Sequence, residues 1–277
     1  MTSISFEYFP PKTSEQRAVF LESHEQLKQL NPDYFSVTFG AGGSTLEHTE
    51  ETVLEINQDP DQHVAPHISC LGGRAESVRK LLNAYRDAGV SRIVALRGDM
   101  PSGMAIGGEF RHANELVQFI RDETGDHFRI HVACYPEFHP EAETAERDLA
   151  HFRRKVEAGA DEAITQYFFN ADAYFRFVDD VRALGVEIPI VAGIMPIINY
   201  TQLARFSDMC GAEMPRWIRS RLRDFGDDRA SIRSFGIDVI TSLCQRLIDG
   251  GAPGLHFYTL NRATAARRIC ANLGLGG

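Results

Sequence analysis

Glu7 is the only acid in the run SISFEYF, which opens the segment SISFEYFPPKTSE at residues 3–15, and its neighbours are Ile4, Phe6, Tyr8 and Phe9. Burying a carboxylate in such a run is costly unless it pairs with a cation or stays neutral. Aromatic neighbours supply the desolvation that holds a carboxyl neutral. The combination of an apolar body and a polar end recurs along the chain. Thr38, His67, Arg97-Gly98-Asp99, Tyr135, Gln166, Pro196 and Asn261-Arg262 close further short apolar runs. In a single strand a polar end is ordinarily the passage into solvent. Repeated across most strands, with aromatics beside it, the pattern points to a pocket. Alternation places Ser5 with Glu7, Ser36 with Thr38, and Arg97 with Asp99 on shared faces.

Other chemistries find less support. FGAGGST, residues 39–45, has the glycine content of a phosphate-cradling loop at a helix start. A dinucleotide fingerprint wants an acid closing the next strand, whereas VAPHISC closes on Cys70. A plain tight turn and a loop of N–H donors beside a ligand both stay open. CYPEFHPEAE, residues 134–143, gathers His139 with Glu137, Glu141 and Glu143, but two prolines interrupt it, which favours a rigid loop over a metal site. The RGD at 97–99 ends a strand and is not an adhesion motif. The lysines are Lys12, Lys28, Lys80 and Lys155, and none ends a strand apart from Lys12 just beyond the first. A Schiff-base barrel enzyme would carry its lysine on a strand. No G-x-S-x-G or H-E-x-x-H occurs.

The elements that must position these residues alternate. SISFEYF, DYFSVTF, VAPHISC, RIVALRG, RIHVACY, EAITQYFF, PIVAGIM and GLHFYTL read as strands, separated by segments with helical periodicity. In the first of these, Thr13 and Gln16 form a capping box, Phe20, Leu27 and Leu30 share a face, and Asn31-Pro32 stops the helix. GVSRI and GADEA read as a C-cap glycine running into a strand. Eight strand–helix units in 277 residues predict a (β/α)8 TIM barrel, α/β in class, with extra helices inserted before the last strand, within residues 201–253. A doubly wound open sheet is the competitor, because alternation alone does not show closure. The formal charge of −9 argues against nucleic acid or an anionic membrane as partner. No apolar run approaches a membrane span. The N-terminus shows no signal peptide, and five scattered cysteines fit free thiols in a reducing cytoplasm.

Together SFEYFPPKTSE, FSVTFGAGGST, APHISC, ALRGDMP, CYPEFHPEA, KVEAGADEAITQYFF, GIMPI and HFYTLNR closely resemble the methylenetetrahydrofolate reductase family, in order from residue 3 to residue 262. The resemblance implies a flavoprotein barrel. In it FAD, reduced by NADH or NADPH in a ping-pong cycle, passes hydride to 5,10-methylenetetrahydrofolate and gives 5-methyltetrahydrofolate for methionine synthesis. Glu7 matches the family's general acid and Asp99 the aspartate beside the flavin and pterin. Flavin contacts are implied at Thr38, Phe39, Ala41, His67, Leu96, Arg97, Gly98, Asp99, His112, Ala113, Tyr135, His139, Ala142, Asp148, His151, Arg154, Lys155 and Ile164. Arg154 and Lys155 fall where the pyrophosphate lies. Glu7, Asp99, Gln166, Tyr200, Tyr258 and Arg262 match the substrate site, with Gln166 serving pterin and nicotinamide in turn.

Two positions depart from the pattern: His112 stands where tyrosine is expected, and Tyr200 where phenylalanine is expected. The chain ends at Gly277, soon after the barrel, so a single catalytic domain over residues 1–277 is expected, without the regulatory domain of longer eukaryotic relatives and its inhibition by S-adenosylmethionine. Homo-oligomerisation is expected, and the choice between NADH and NADPH is open. Two rival readings are a flavin-independent reductase and a non-catalytic folate- or flavin-binding barrel.

Overall fold

The computed structural model describes residues 2–39, 43–70, 74–98 and 108–276. Among them, eight parallel strands close into one barrel in sequence order: β1 (Ser3–Tyr8), β2 (Tyr34–Val37), β3 (Val64–Ser69), β4 (Arg92–Leu96), β5 (Arg129–Cys134), β6 (Glu162–Thr165), β7 (Ile190–Ile194) and β8 (Gly254–Tyr258). β8 pairs with β1 through Ser5↔His256 and Glu7↔Tyr258, which closes the sheet and excludes the open alternative.

The helices are α1 (Ser14–Lys28), α2 (Gly43–Ile56), α3 (Ala75–Asp87), α4 (Ala113–Thr124), α5 (Ala145–Glu157), α6 (Ala171–Ala183), α7 (Tyr200–Cys210), α8 (Arg216–Asp224), α9 (Arg229–Asp249) and α10 (Ala263–Asn272). Each strand is followed by one helix, except that α8 and α9 are added between α7 and β8, as the sequence predicts. Local chemistry sets the ends. Thr13 Oγ1 accepts from the Gln16 amide at 3.2 Å, while the Gln16 side chain accepts from Lys12, one residue beyond the expected capping-box partner. Gly89 (φ +81°) and Gly159 (φ +112°) turn the chain from α3 and α5 into β4 and β6 in the left-handed region that glycine tolerates.

Alternation divides the strand residues into two layers with different chemistry. Outward-facing Phe6, Tyr8, Phe35, Val37 and Phe257 pack with helix residues such as Phe20 and Leu27. The ring centroids of Phe6 lie 6.0 Å from Phe35 and 5.6 Å from Phe257. The interior holds a much smaller apolar cluster of Tyr34, Ala65, Val94 and Ile164, flanked by Leu96 and Tyr258. Ser5, Ser36, His67, His131, Glu162 and His256 are buried polar groups. Interior positions of such barrels are usually bulky and apolar, so these polar residues must be held by one another.

Candidate active site

Glu7 is inward-facing on β1, and its carboxylate meets two imidazoles. Oε2 lies 3.3 Å from His67 Nε2 on β3 and 3.6 Å from His256 Nε2 on β8. The His67 nitrogen is buried and off the line of a well-formed hydrogen bond. His256 is held at both ring nitrogens, by Ser5 Oγ at 2.7 Å and Ser36 Oγ at 3.4 Å. Burial alone raises the Glu7 pKa, but hydrogen bonding and charge attraction from His256 and His67 outweigh it and bring the carboxyl down to about 2. This corrects the expectation of an acid kept neutral by aromatic surroundings. Phe6 and Tyr8, next to Glu7 in sequence, lie on the opposite face of the strand and bury their rings against the helices.

The strand end bearing Glu7 is clamped by the loop after β8. Thr259 Oγ1 donates to the Glu7 carbonyl at 2.6 Å, and Asn261 bonds both the amide and the carbonyl of Phe9 at 2.8 Å. Leu260 and Asn261 adopt φ values of +51° and +57°. Tyr258 reaches across the barrel, its hydroxyl donating to the Thr165 carbonyl at 2.7 Å and its ring lying over Gly193. A Cβ at Gly193 would come within 2.0 Å of the Thr165 carbonyl and 2.8 Å of that ring. Gln166, just past β6, lines a narrow cleft with Tyr135, Tyr167 and Cys210.

A second group gathers at the ends of β4 and β5 and along α5. Arg97 pairs with Glu141 at 2.6 Å. The ring of His139 lies 4.6 Å from that of Tyr135, and its backbone amide donates to Asp148 at 2.9 Å. Lys155 donates to the Ala133 carbonyl at 2.5 Å, and burial lowers its pKa. His112, at the start of α4, stacks on His151 at 6.2 Å, and His151 accepts from Arg154 at 3.4 Å. Gly98 has φ +84°. Ala142 lies in the same loop, its amide donating to the His139 carbonyl at 2.9 Å, and Ala113 opens α4. Thr38 and Phe39 follow β2 and are half-buried, whereas Leu96 and Ile164 belong to the interior cluster.

Tyr200 begins α7, where Asn199 caps the helix by accepting from Gln202 at 2.9 Å, and its hydroxyl accepts from Arg223 at 3.3 Å. Arg262 is exposed at the start of α10. Among the described residues, no contact joins either side chain to the Glu7 cluster. Ala41 and Asp99 lie outside the described residues. His256 and Ser36 were missed as site residues, although His256 carried a signal, being two positions from Tyr258 and therefore on its face. A cleft of about 380 Å³ opens at the opposite end of the barrel. Its Arg121 and Arg129 are bound to Asp161 and Glu162, which suits a structural closure.

A closed (β/α)8 barrel with a carboxylate–imidazole cluster among its inward-facing strand residues and a polar mouth defines a barrel enzyme working at the C-terminal ends of its strands. A family model described as methylenetetrahydrofolate reductase matches residues 1–274. The chain is 37% identical over 273 residues to the 5,10-methylenetetrahydrofolate reductase of Escherichia coli, covering 99% of this chain and 91% of that one. It is 38% identical over 287 residues to methylenetetrahydrofolate reductase (NADH) 1 of Zea mays, covering 99% of this chain and 48% of the maize protein. The chain belongs to the methylenetetrahydrofolate reductase family, an oxidoreductase family. Among solved structures, an uncharacterized Clostridium thermocellum protein that binds two copies of 5-methyl-5,6,7,8-tetrahydrofolic acid shares the fold, with a TM-score of 0.66, 16% identity and coverage of 98% and 93% of the two chains. Dihydropteroate synthase from Xanthomonas albilineans shares it with a TM-score of 0.53 at 13% identity.

Proposed function

We propose that this chain reduces 5,10-methylenetetrahydrofolate to 5-methyltetrahydrofolate with FAD and a nicotinamide donor, in two half-reactions that share one site. The observation that carries the reading is Glu7 held between His67 and His256 in a chain of this family. Opening the bridging ring of the substrate requires a proton at its leaving nitrogen. Glu7 is the proposed donor, and because its carboxyl is ionised in the free chain, it takes up a proton after the folate binds and before the ring opens. General acid catalysis of this kind is worth roughly 10²–10⁴-fold.

The group at the ends of β4 and β5 and on α5 fits FAD. Lys155 is a half-buried cation with no ion pair among the described residues, its ammonium donating to the Ala133 carbonyl. Arg154 and Lys155 would meet the pyrophosphate, while Thr38, Gly98, Tyr135, His139 and Asp148 would line the rest. When bound, FAD supplies a ring that accepts hydride from the nicotinamide and gives it to the folate. Gln166 would hold pterin and nicotinamide in turn, since an amide both donates and accepts. The hydroxyl of Tyr258 is committed to Thr165, so Tyr258 offers the ligand a ring face.

Purified protein should be yellow, bleached anaerobically by NADH or NADPH, and re-coloured by methylenetetrahydrofolate. A colourless protein, inactive with added FAD, refutes the reading. Turnover by a preparation shown to lack flavin favours the flavin-independent rival.

A further inference from the structure

Phe138, in the loop after β5, has φ +81°. A left-handed backbone crowds the Cβ of any residue but glycine, and a bulky ring there is a genuine outlier. Burial does not offset that cost, since Phe138 is 51% exposed. Asparagine or glycine would make the same turn with less strain. The conformation persists because the chain is tied on both sides of it. Before it, Glu137 accepts from the Glu213 amide at 2.8 Å. After it, the His139 amide donates to Asp148 at 2.9 Å, and His139 Nδ1 accepts from the Glu141 amide at 3.0 Å. Pro140 abuts Gly211, where an added Cβ would come within 2.7 Å of its ring. Strain held in this way gathers at ligand clamps and active sites.

The position of the ring points to a ligand. Phe138 lines the narrow cleft that holds Gln166, Tyr135 and Tyr167, and Cys210 at the end of α7 forms another of its walls. A hydrogen bond of 3.2 Å between the Tyr167 hydroxyl and Ser207 fixes α7 over the end of β6. Tyr135 and His139 belong to the group proposed to hold FAD, and Gln166 is the residue proposed to receive the reacting rings of both substrates. Phe138 stands beside Gln166 and is the more exposed of the two. Each substrate also carries a second flat ring away from its reacting one, the aminobenzoyl group in the folate and adenine in the dinucleotide.

We propose that Phe138 is a stacking platform for the second flat ring of a substrate whose reacting ring Gln166 holds. The inference rests on the reading above and adds a residue that sets substrate affinity from the loop after β5. Stacking of two aromatic rings contributes roughly two- to tenfold in affinity.

The test uses the full chain loaded with FAD. Phe138→Asn removes the ring and leaves a residue that tolerates the left-handed turn. It should raise the KM of the stacked substrate about fivefold with kcat little changed, the pattern of an interaction made equally in ground and transition states. Phe138→Tyr keeps a ring and should hold that KM within about twofold of the unmodified value. The urea midpoint of Phe138→Asn should equal or exceed that of the unmodified protein, because strain leaves with the ring. A rise in KM for methylenetetrahydrofolate, matched by weaker binding of 5-methyltetrahydrofolate in calorimetry, assigns the aminobenzoyl ring. A rise for the dinucleotide that is absent with reduced nicotinamide mononucleotide assigns adenine. Unchanged KM values for both substrates overturn the platform, as does a rise that Phe138→Tyr shares in full. A lowered urea midpoint also overturns it, by making the ring a packing element of its own loop. No turnover by the unmodified protein overturns the reading above, and this inference with it.

Discussion

Replacing Glu7 by glutamine should separate its electrostatic and catalytic roles. In the folded chain the carboxyl falls from an ordinary 4.5 to about 2. At roughly 1.4 kcal/mol per tenfold change in proton affinity, the ionised form gains on the order of 3 kcal/mol over the neutral one on folding. Glutamine mimics the neutral form and should lower stability at pH 7 by up to that amount. A depressed carboxyl pKa stabilises above the unfolded value and loses that effect as pH falls through the folded one. The difference between the two proteins should therefore shrink by roughly 1 kcal/mol between about pH 5.5 and pH 4, and further toward pH 2. Urea unfolding of both proteins across that range measures it. In parallel, anaerobic stopped-flow should find reduction by the nicotinamide donor near normal and folate reduction slowed about 10²–10⁴-fold. A stability difference below about 1 kcal/mol at pH 7 would refute the imidazole clamp. Normal folate reduction would refute the proton role.

Gly193→Ala forces a methyl against the Thr165 carbonyl and the Tyr258 ring, and should lower the urea midpoint by the equivalent of about 1–3 kcal/mol. Asn261→Ala removes two hydrogen bonds that hold Phe9 and places a Cβ-bearing residue without a side-chain cap at φ +57°. It should cost about 1–3 kcal/mol and depress folate reduction through the loop after Glu7. Asn261→Gly, which suits that φ, should be the milder change in thermal unfolding. Lys155→Met deletes the half-buried cation and should weaken FAD retention at least tenfold in equilibrium dialysis, roughly the effect of one charge-assisted contact. Unfolding of the flavin-free protein should change less.

Much of this was legible in the sequence because it depends on local periodicity. Alternating strands and helices, the glycines at 89 and 159, and the extra helices before β8 each follow from side-chain spacing or from one backbone conformation. The polar residues at strand ends were legible for the same reason, since parallel strands of one barrel all end at one mouth. The chemistry of Glu7 was not. Its sequence neighbours Phe6 and Tyr8 suggested an apolar pocket, yet a period of two sends them to the other face. Its real neighbours, His67 and His256, lie 60 and 249 residues away along the chain. Barrel closure brings β1 against β8, and so sets His256, with Ser5 and Ser36 on its ring nitrogens, beside the carboxylate. The commitment of the Tyr258 hydroxyl to Thr165 and the approach of α8 to Tyr200 likewise depend on which strands and loops become neighbours. Sequence by itself determined which residues face inward and which end of the barrel they occupy. The tertiary structure decided what each of them meets, and with it the charge state of Glu7, because pKa responds to contacts through space and not to adjacency in the chain.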